Sequence, residues 1–253
     1  MSQDRQRRKR ERSRRRLTPP RKLAPAGPAP AHGLLTAAAD QARHAATPIL
    51  QSAAATATEE LARTTLGVAL RLIQQSPLAG RHACRAGCAY CCHTAVTIAP
   101  PETFAIAAYL RAHCDEHDLQ RVREDLERNA ALAASMSRED YVAELIPCAL
   151  LTADGNCRAH AVRPLACAGF LSTSRAACQA EFERVPGRAA VPVDAYAQCV
   201  GLGVSHGLKD ACRQAGRDGE FYELHHALRR VLDAPDAAKR WSQGEDVFAG
   251  CLR

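Results

Sequence analysis

Cys84, Cys88, Cys91 and Cys92 fall within CRAGCAYCCH, a C-x3-C-x2-C-C spacing. Cys148, Cys157 and Cys167 follow in PCALLTADGNCRAHAVRPLACAGF, residues 147–170. Thiolates are soft ligands that suit Zn²⁺ and iron–sulfur clusters. Spacings of two or three residues let one loop supply several ligands without a separate long loop closure for each. Cys84, Cys88 and Cys91 meet that requirement. Cys92 adjoins Cys91, and neighbouring side chains diverge, so it serves a second ion, bridges, or stands in reserve. Cys148, Cys157 and Cys167 complete the set from the second loop. Seven thiols exceed the four of a tetrahedral zinc site, which points to two ions or a polynuclear cluster. The competing reading is inert buried thiols, since cysteine packs as a small hydrophobe; seven at these spacings weigh against it. Cys114, Cys178, Cys199, Cys212 and Cys251 lack such spacing and read as core or half-buried thiols.

Other polar residues near these cysteines have weaker claims. His82 and His93 flank the first loop, where either can ligate, hydrogen-bond a sulfur or simply face solvent. Arg163 precedes Pro164 between two cysteines, so its charge can offset that of a thiolate cluster; we take it as the candidate cofactor-binding residue. Asp154 shapes a turn with Gly155. His225 and His226 are adjacent on a predicted helix over 219–233 and diverge, so they do not share an ion. The stretch GLGVSHG at 201–207 lacks the spacing and context of a nucleotide loop and reads as a connection between helices.

C-x3-C-x2-C with Tyr90 before Cys91 also fits the radical SAM signature. That class requires repeated strand–helix units, and nothing downstream reads as a run of strands. The combined pattern C-x3-C-x2-C-C, then C-x8-C-x5-R-P-x2-C, resembles the YkgJ-type cysteine-cluster family of zinc- or iron-chelating domains. Cys84, Cys88, Cys91, Cys92, Cys148, Asp154, Gly155, Cys157, Arg163, Pro164 and Cys167 carry the resemblance, with APPE at 99–102. It covers about residues 80–170. His160 stands where the family usually has Tyr, and Ala168 where it has Arg. The flagellin lysine methylase FliB is similar in carrying such a motif with an iron–sulfur cluster. The resemblance therefore implies a metal-binding protein holding Zn²⁺ or an iron–sulfur cluster; an iron–sulfur oxidoreductase or protein-modifying enzyme is the alternative.

The elements that must position these loops are helical. Of 253 residues, 47% are apolar, mostly Ala and Leu, and 4% aromatic, a composition of small, closely packed helices. Leu61, Val68 and Leu72 share one helical face and Leu66, Leu70 and Ile73 its neighbour, after a break at Pro48. Pro100-Pro101-Glu102 opens a helix, Leu119, Val122 and Leu126 mark another, and Tyr141 to Ile146 a short one. The fold class expected is mainly α: a small helical domain at 34–253 clamped by a cysteine-rich metal centre built from two loops.

The net charge of +7 belongs to one end. Residues 1–22 carry +9, leaving the rest near −2. Residues 1–33 read as a disordered basic, Pro/Ala-rich tail. Nucleic-acid contact is conceivable only through that tail, and no aromatic interleaves its arginines for stacking. Other partners or substrates are unknown. Neither a secretory leader nor an 18-residue apolar window is evident, so a reducing, cytoplasmic setting is expected, where clustered thiols bind metal more often than they pair.

Overall fold

The computed structural model describes residues 22–52 and 57–252. Among them lie ten α-helices and four short strands. Strand β1 (Leu23–Ala26) pairs in parallel with β3 (Val191–Asp194), and β2 (Thr97–Ile98) pairs antiparallel with β4 (Tyr222–Glu223). The helices are α1 (Leu34–Gln51), α2 (Ala57–Ile73), α3 (Pro100–His113), α4 (Glu116–Ser135), α5 (Arg138–Ala143), α6 (Leu165–Gly169), α7 (Arg175–Phe182), α8 (Ala195–Gln214), α9 (Leu224–Asp233) and α10 (Ala237–Ser242). The mainly helical class expected from composition holds. Among the described residues no helix is long and apolar enough to cross a membrane.

Four local expectations are corrected. The GLGVSHG stretch lies inside α8. Its glycines serve close approach: a Cβ on Gly203 would stand 2.5 Å from the Leu35 carbonyl oxygen, and one on Gly207 2.1 Å from that of Ala39. The small residues let α8 lie directly on the Ala38/Ala42/Ala46 face of α1. Second, α1 passes through Pro48 and ends at Gln51. Proline there removes one hydrogen bond in the last turn, where the next turn need not be completed. Third, the helix read over 219–233 starts only at Leu224, because Tyr222 and Glu223 pair with β2. Fourth, the short helix expected at 141–146 lies earlier, where Ser137 accepts from the Asp140 N–H and caps α5.

The tail expected over residues 1–33 lies outside the described residues as far as Arg21. Its later part contains β1, held by pairing with β3, with Gly27 turning at φ +80° against Leu78.

The core is one cluster linking α1, α2, α3, α4, α8 and α9. Leu61, Leu66, Val68, Leu72 and Ile73 are buried on α2, as the periodicity predicts. Four of the aromatics form one cluster. Phe104 lies 5.6 Å from the Trp241 ring and 5.7 Å from Phe248, which stacks on Tyr222 at 4.9 Å. Trp241 Nε1 donates to the Asp218 carbonyl and Tyr222 donates to the Asp218 carboxylate, so both polar tips are satisfied.

Candidate metal centre

The first cysteine loop runs from the end of α2 to β2, and four tethers fix its path. His82 Nε2 lies 2.7 Å from Asp194, which also accepts from Ser76 and caps α8 through the Tyr196 and Ala197 N–H groups. The Ala83 N–H donates to the Ser172 carbonyl at 2.8 Å. The Gly87 N–H donates to Asn156 Oδ1 at 2.8 Å. The Cys148 N–H donates to the Cys92 carbonyl at 2.8 Å, joining the two loops at their ends.

The second loop turns at Asp154-Gly155. Thr152 and Asn156 both donate to the Asp154 carboxylate, holding it below its ordinary range. Gly155 has φ +79°, and a Cβ there would stand 3.1 Å from the Gly87 carbonyl oxygen. Glycine is needed on conformational and contact grounds together. Glu102 ties in the last segment. One carboxylate oxygen accepts from the Ala99 N–H at the start of α3, the other from the Leu165 N–H at the start of α6, at 2.8 and 2.7 Å. Burial pushes this carboxyl up, against the pull of those two N–H groups. The APPE sequence thus couples the exit of the first loop to the short helix that carries Cys167.

The thiols of the two loops lie in one region, where an ionised Cys91 would raise Cys84, Cys148, Cys157 and Cys167. Burial pushes Cys148 and Cys157 up to about 11 from an ordinary 9.0, with neighbouring thiols adding to it. Cys167 keeps exposed surface at the mouth of the group, yet crowding by protein atoms and by Cys148, Cys91 and Cys157 drives it up also. Cys84 rises by burial, opposed by the Ser172 N–H that donates to its sulfur at 3.4 Å and reinforced by Cys91, Cys88 and Cys178. Cys92 is half-buried, and its contact to the second loop runs through the backbone. Arg163 lies near enough to Cys157 to lower its thiol and contacts the His160 ring and carbonyl.

His82 turns to Asp194, and His93 hydrogen-bonds the Ala89 carbonyl with its ring 4.7 Å from Phe182. The exposed His160 lies against Arg163. His225 and His226 diverge as expected: His225 is buried under the second loop, while His226 reaches the Ala130 carbonyl.

Cys178, read as a core or half-buried thiol, is half-buried on α7, which packs on the Tyr90–Cys92 turn, and its ionised form would raise Cys84. Cys212, by contrast, is a fully buried core thiol.

Among the described residues, the one trio of ligating atoms within 4.8 Å of one another is Asp115, His117 and Asp118 at the start of α4. Asp115 caps that helix and Asp118 pairs with Arg158 at 2.8 and 3.0 Å. The cysteine sulfurs share a neighbourhood without reaching that spacing. A bound cation is what would draw several sulfurs to one point. The donor set nonetheless fits a soft metal: its anions repel one another, and a bound cation reverses the effect.

Residues 83–185 match the CxxCxxCC family model, described as "Putative zinc- or iron-chelating domain". The segment that carries both cysteine loops is thus similar to a family of cysteine-cluster domains, over less than half of the chain. Searches of curated proteins and of solved structures each gave no match.

Proposed function

We propose that the two loops form one zinc or iron centre that clamps the helical domain at 34–253. Cys84, Cys88, Cys91, Cys148, Cys157 and Cys167 would hold the metal. Cys92 and Cys178 stand at the edge of the group, and Arg163 offsets part of its negative charge. The supporting observation is that the two cysteine loops are tied together, by the Cys148 N–H to the Cys92 carbonyl and the Gly87 N–H to Asn156 Oδ1, each at 2.8 Å. A bound metal supplies charge neutralisation and cross-linking of the loops, so that metal binding contributes directly to folding. The chain's own residues do the positioning: Glu102, Asn156, Asp194 and Ser172 each hold a loop segment by hydrogen bonds.

An iron–sulfur cluster is the second reading, favoured by the number of thiols, which exceeds what one tetrahedral zinc requires. Metal analysis and a visible spectrum of anaerobically purified protein decide between the two. Iron with acid-labile sulfide and a coloured solution selects the cluster; colourless protein with one or two zinc per chain selects zinc. Protein that carries neither metal and takes up neither overturns the proposal. Cys91→Ser should lose most of the metal while Cys212→Ser keeps it; full metal content in Cys91→Ser would remove Cys91 from the centre.

A further inference from the structure

Beneath the second loop lies a buried polar group that composition and motif leave unexplained. His225 is 3% exposed and Asn129 0%. Both reach the peptide on either side of Cys148. The Asn129 amide donates to the Pro147 carbonyl at 2.8 Å, and the Ala149 N–H points to His225 Nε2 at 3.3 Å. Asn129 Nδ2 also lies 3.4 Å from that ring nitrogen. A backbone N–H can only donate, so Nε2 must be an acceptor and the ring proton belongs on Nδ1. There Nδ1–H donates to Glu223 Oε1 at 2.8 Å, with the Tyr141 oxygen at 2.9 Å. The other Glu223 oxygen accepts from the His226 N–H at 2.9 Å, so the carboxylate is locked at the start of α9.

Four elements thus supply one clamp: α4 gives Asn129, α5 Tyr141, β4 Glu223 and α9 His225. The middle of the clamped tripeptide is Cys148, whose own N–H is held by Cys92. The Asn129 and His225 contacts hold the backbone on both sides of Cys148, Tyr141 and Glu223 hold the His225 ring, and the residue so framed carries a thiol of the candidate centre. A purely packing role would be filled by apolar residues at less cost, because burying polar groups is expensive, and Asn129 Oδ1 is buried here without a hydrogen-bond partner.

We propose that His225, held in its Nδ1–H tautomer by Glu223, is a positioning residue that sets the Cys148 thiol for metal binding. The proposal rests on the reading of the cysteines as a metal centre. It assigns to α9 and β4, more than thirty residues beyond the matched segment, a part in the affinity of that centre.

The test uses the full chain and two metals as probes. Zinc affinity is measured by competition with a chelator, and Co²⁺ replaces zinc as a spectroscopic reporter of ligand geometry. His225→Leu should bind zinc about 10- to 100-fold more weakly and shift the Co²⁺ spectrum. His225→Gln, which can still accept from the Ala149 N–H, should recover part of the loss. Where His225→Leu does not fold, the near-isosteric Glu223→Gln gives the same reading: its amide can donate to Nδ1, which turns the ring proton toward Ala149 and weakens zinc binding. Wild-type zinc affinity and an unchanged Co²⁺ spectrum in His225→Leu, or in Glu223→Gln if the first is unfolded, would overturn the proposal, whatever happens to the melting temperature. Wild-type protein that binds neither zinc, cobalt nor iron defeats the underlying metal reading instead, a result that the variants cannot mimic.

Discussion

The α1–α8 interface and the junction of the two cysteine loops both bring backbone against backbone, by opposite means. Between the helices Gly203 and Gly207 meet the carbonyls of Leu35 and Ala39, and the surrounding Ala38, Ala42 and Ala46 are essentially without exposed surface. Dispersion and apolar burial complete that contact with no further ingredient. At the loops Gly155 meets Gly87, and a handful of hydrogen bonds set the path. What they enclose is a group of thiols whose ionised forms repel. One region is finished by its own atoms, whereas the other gathers thiols that keep their protons until a cation displaces them.

The contrast is broken most directly at Gly207. Leucine there places a Cβ 2.1 Å from the Ala39 carbonyl oxygen, so the helices must separate. Gly207→Leu should destabilise the protein by about 3 kcal/mol or more in urea unfolding, with or without metal. A loss below about 1 kcal/mol would show that the helices are not in contact there. Alkaline pH probes the other region. Cys148 and Cys157 are raised from 9.0 to about 11 in the folded chain, so the folded state holds those protons more tightly. Their contribution to the metal-free protein is complete below pH 9 and is lost as pH climbs through about 11. Zinc binding runs the other way, tightening as pH rises because it must displace the same protons. Parallel urea titrations at rising pH, with chelator and with zinc, should therefore diverge; curves that move together would place these thiols outside the metal's reach. The smallest effect is a matched glycine pair. Gly155→Ala combines positive φ with the 3.1 Å approach to Gly87, while Gly187→Ala has positive φ and open space. Each should cost about 1–2 kcal/mol for the backbone alone, with Gly155→Ala the larger, and equal losses would mean that the loops do not touch.

Much of this was readable from residue order. The α2 stripe, the Pro100-Pro101-Glu102 helix start and the Asp154-Gly155 turn depend on local periodicity and local hydrogen bonds, and sequence carries those directly. The thiol spacing marked two loops, since ligands on a short turn must be close in the chain. What it hid was tertiary. Glu102 looks like a helix-start acid, yet one of its oxygens holds Leu165, 63 residues away. Glycines at 201, 203 and 207 weaken a helix in isolation, and the backbones opposite, α6 for Gly201 and α1 for Gly203 and Gly207, explain why they lie inside one. Asn129 and His225 carry no spacing signal, because they converge from different helices on a peptide that belongs to neither.

The hydrogen bond from the Cys148 N–H to the Cys92 carbonyl has one more consequence. It marks the neck of a long excursion of the chain, which leaves after Cys92, builds α3, α4 and α5, and returns at Cys148. Any bond to sulfur across that neck closes a ring of more than fifty residues. Closure of a ring this size removes roughly 4 kcal/mol of denatured-chain entropy, on the same footing as a disulfide. The ring includes much of the helical core, so a cross-link between two surface loops would act on the unfolded ensemble of the whole middle of the protein.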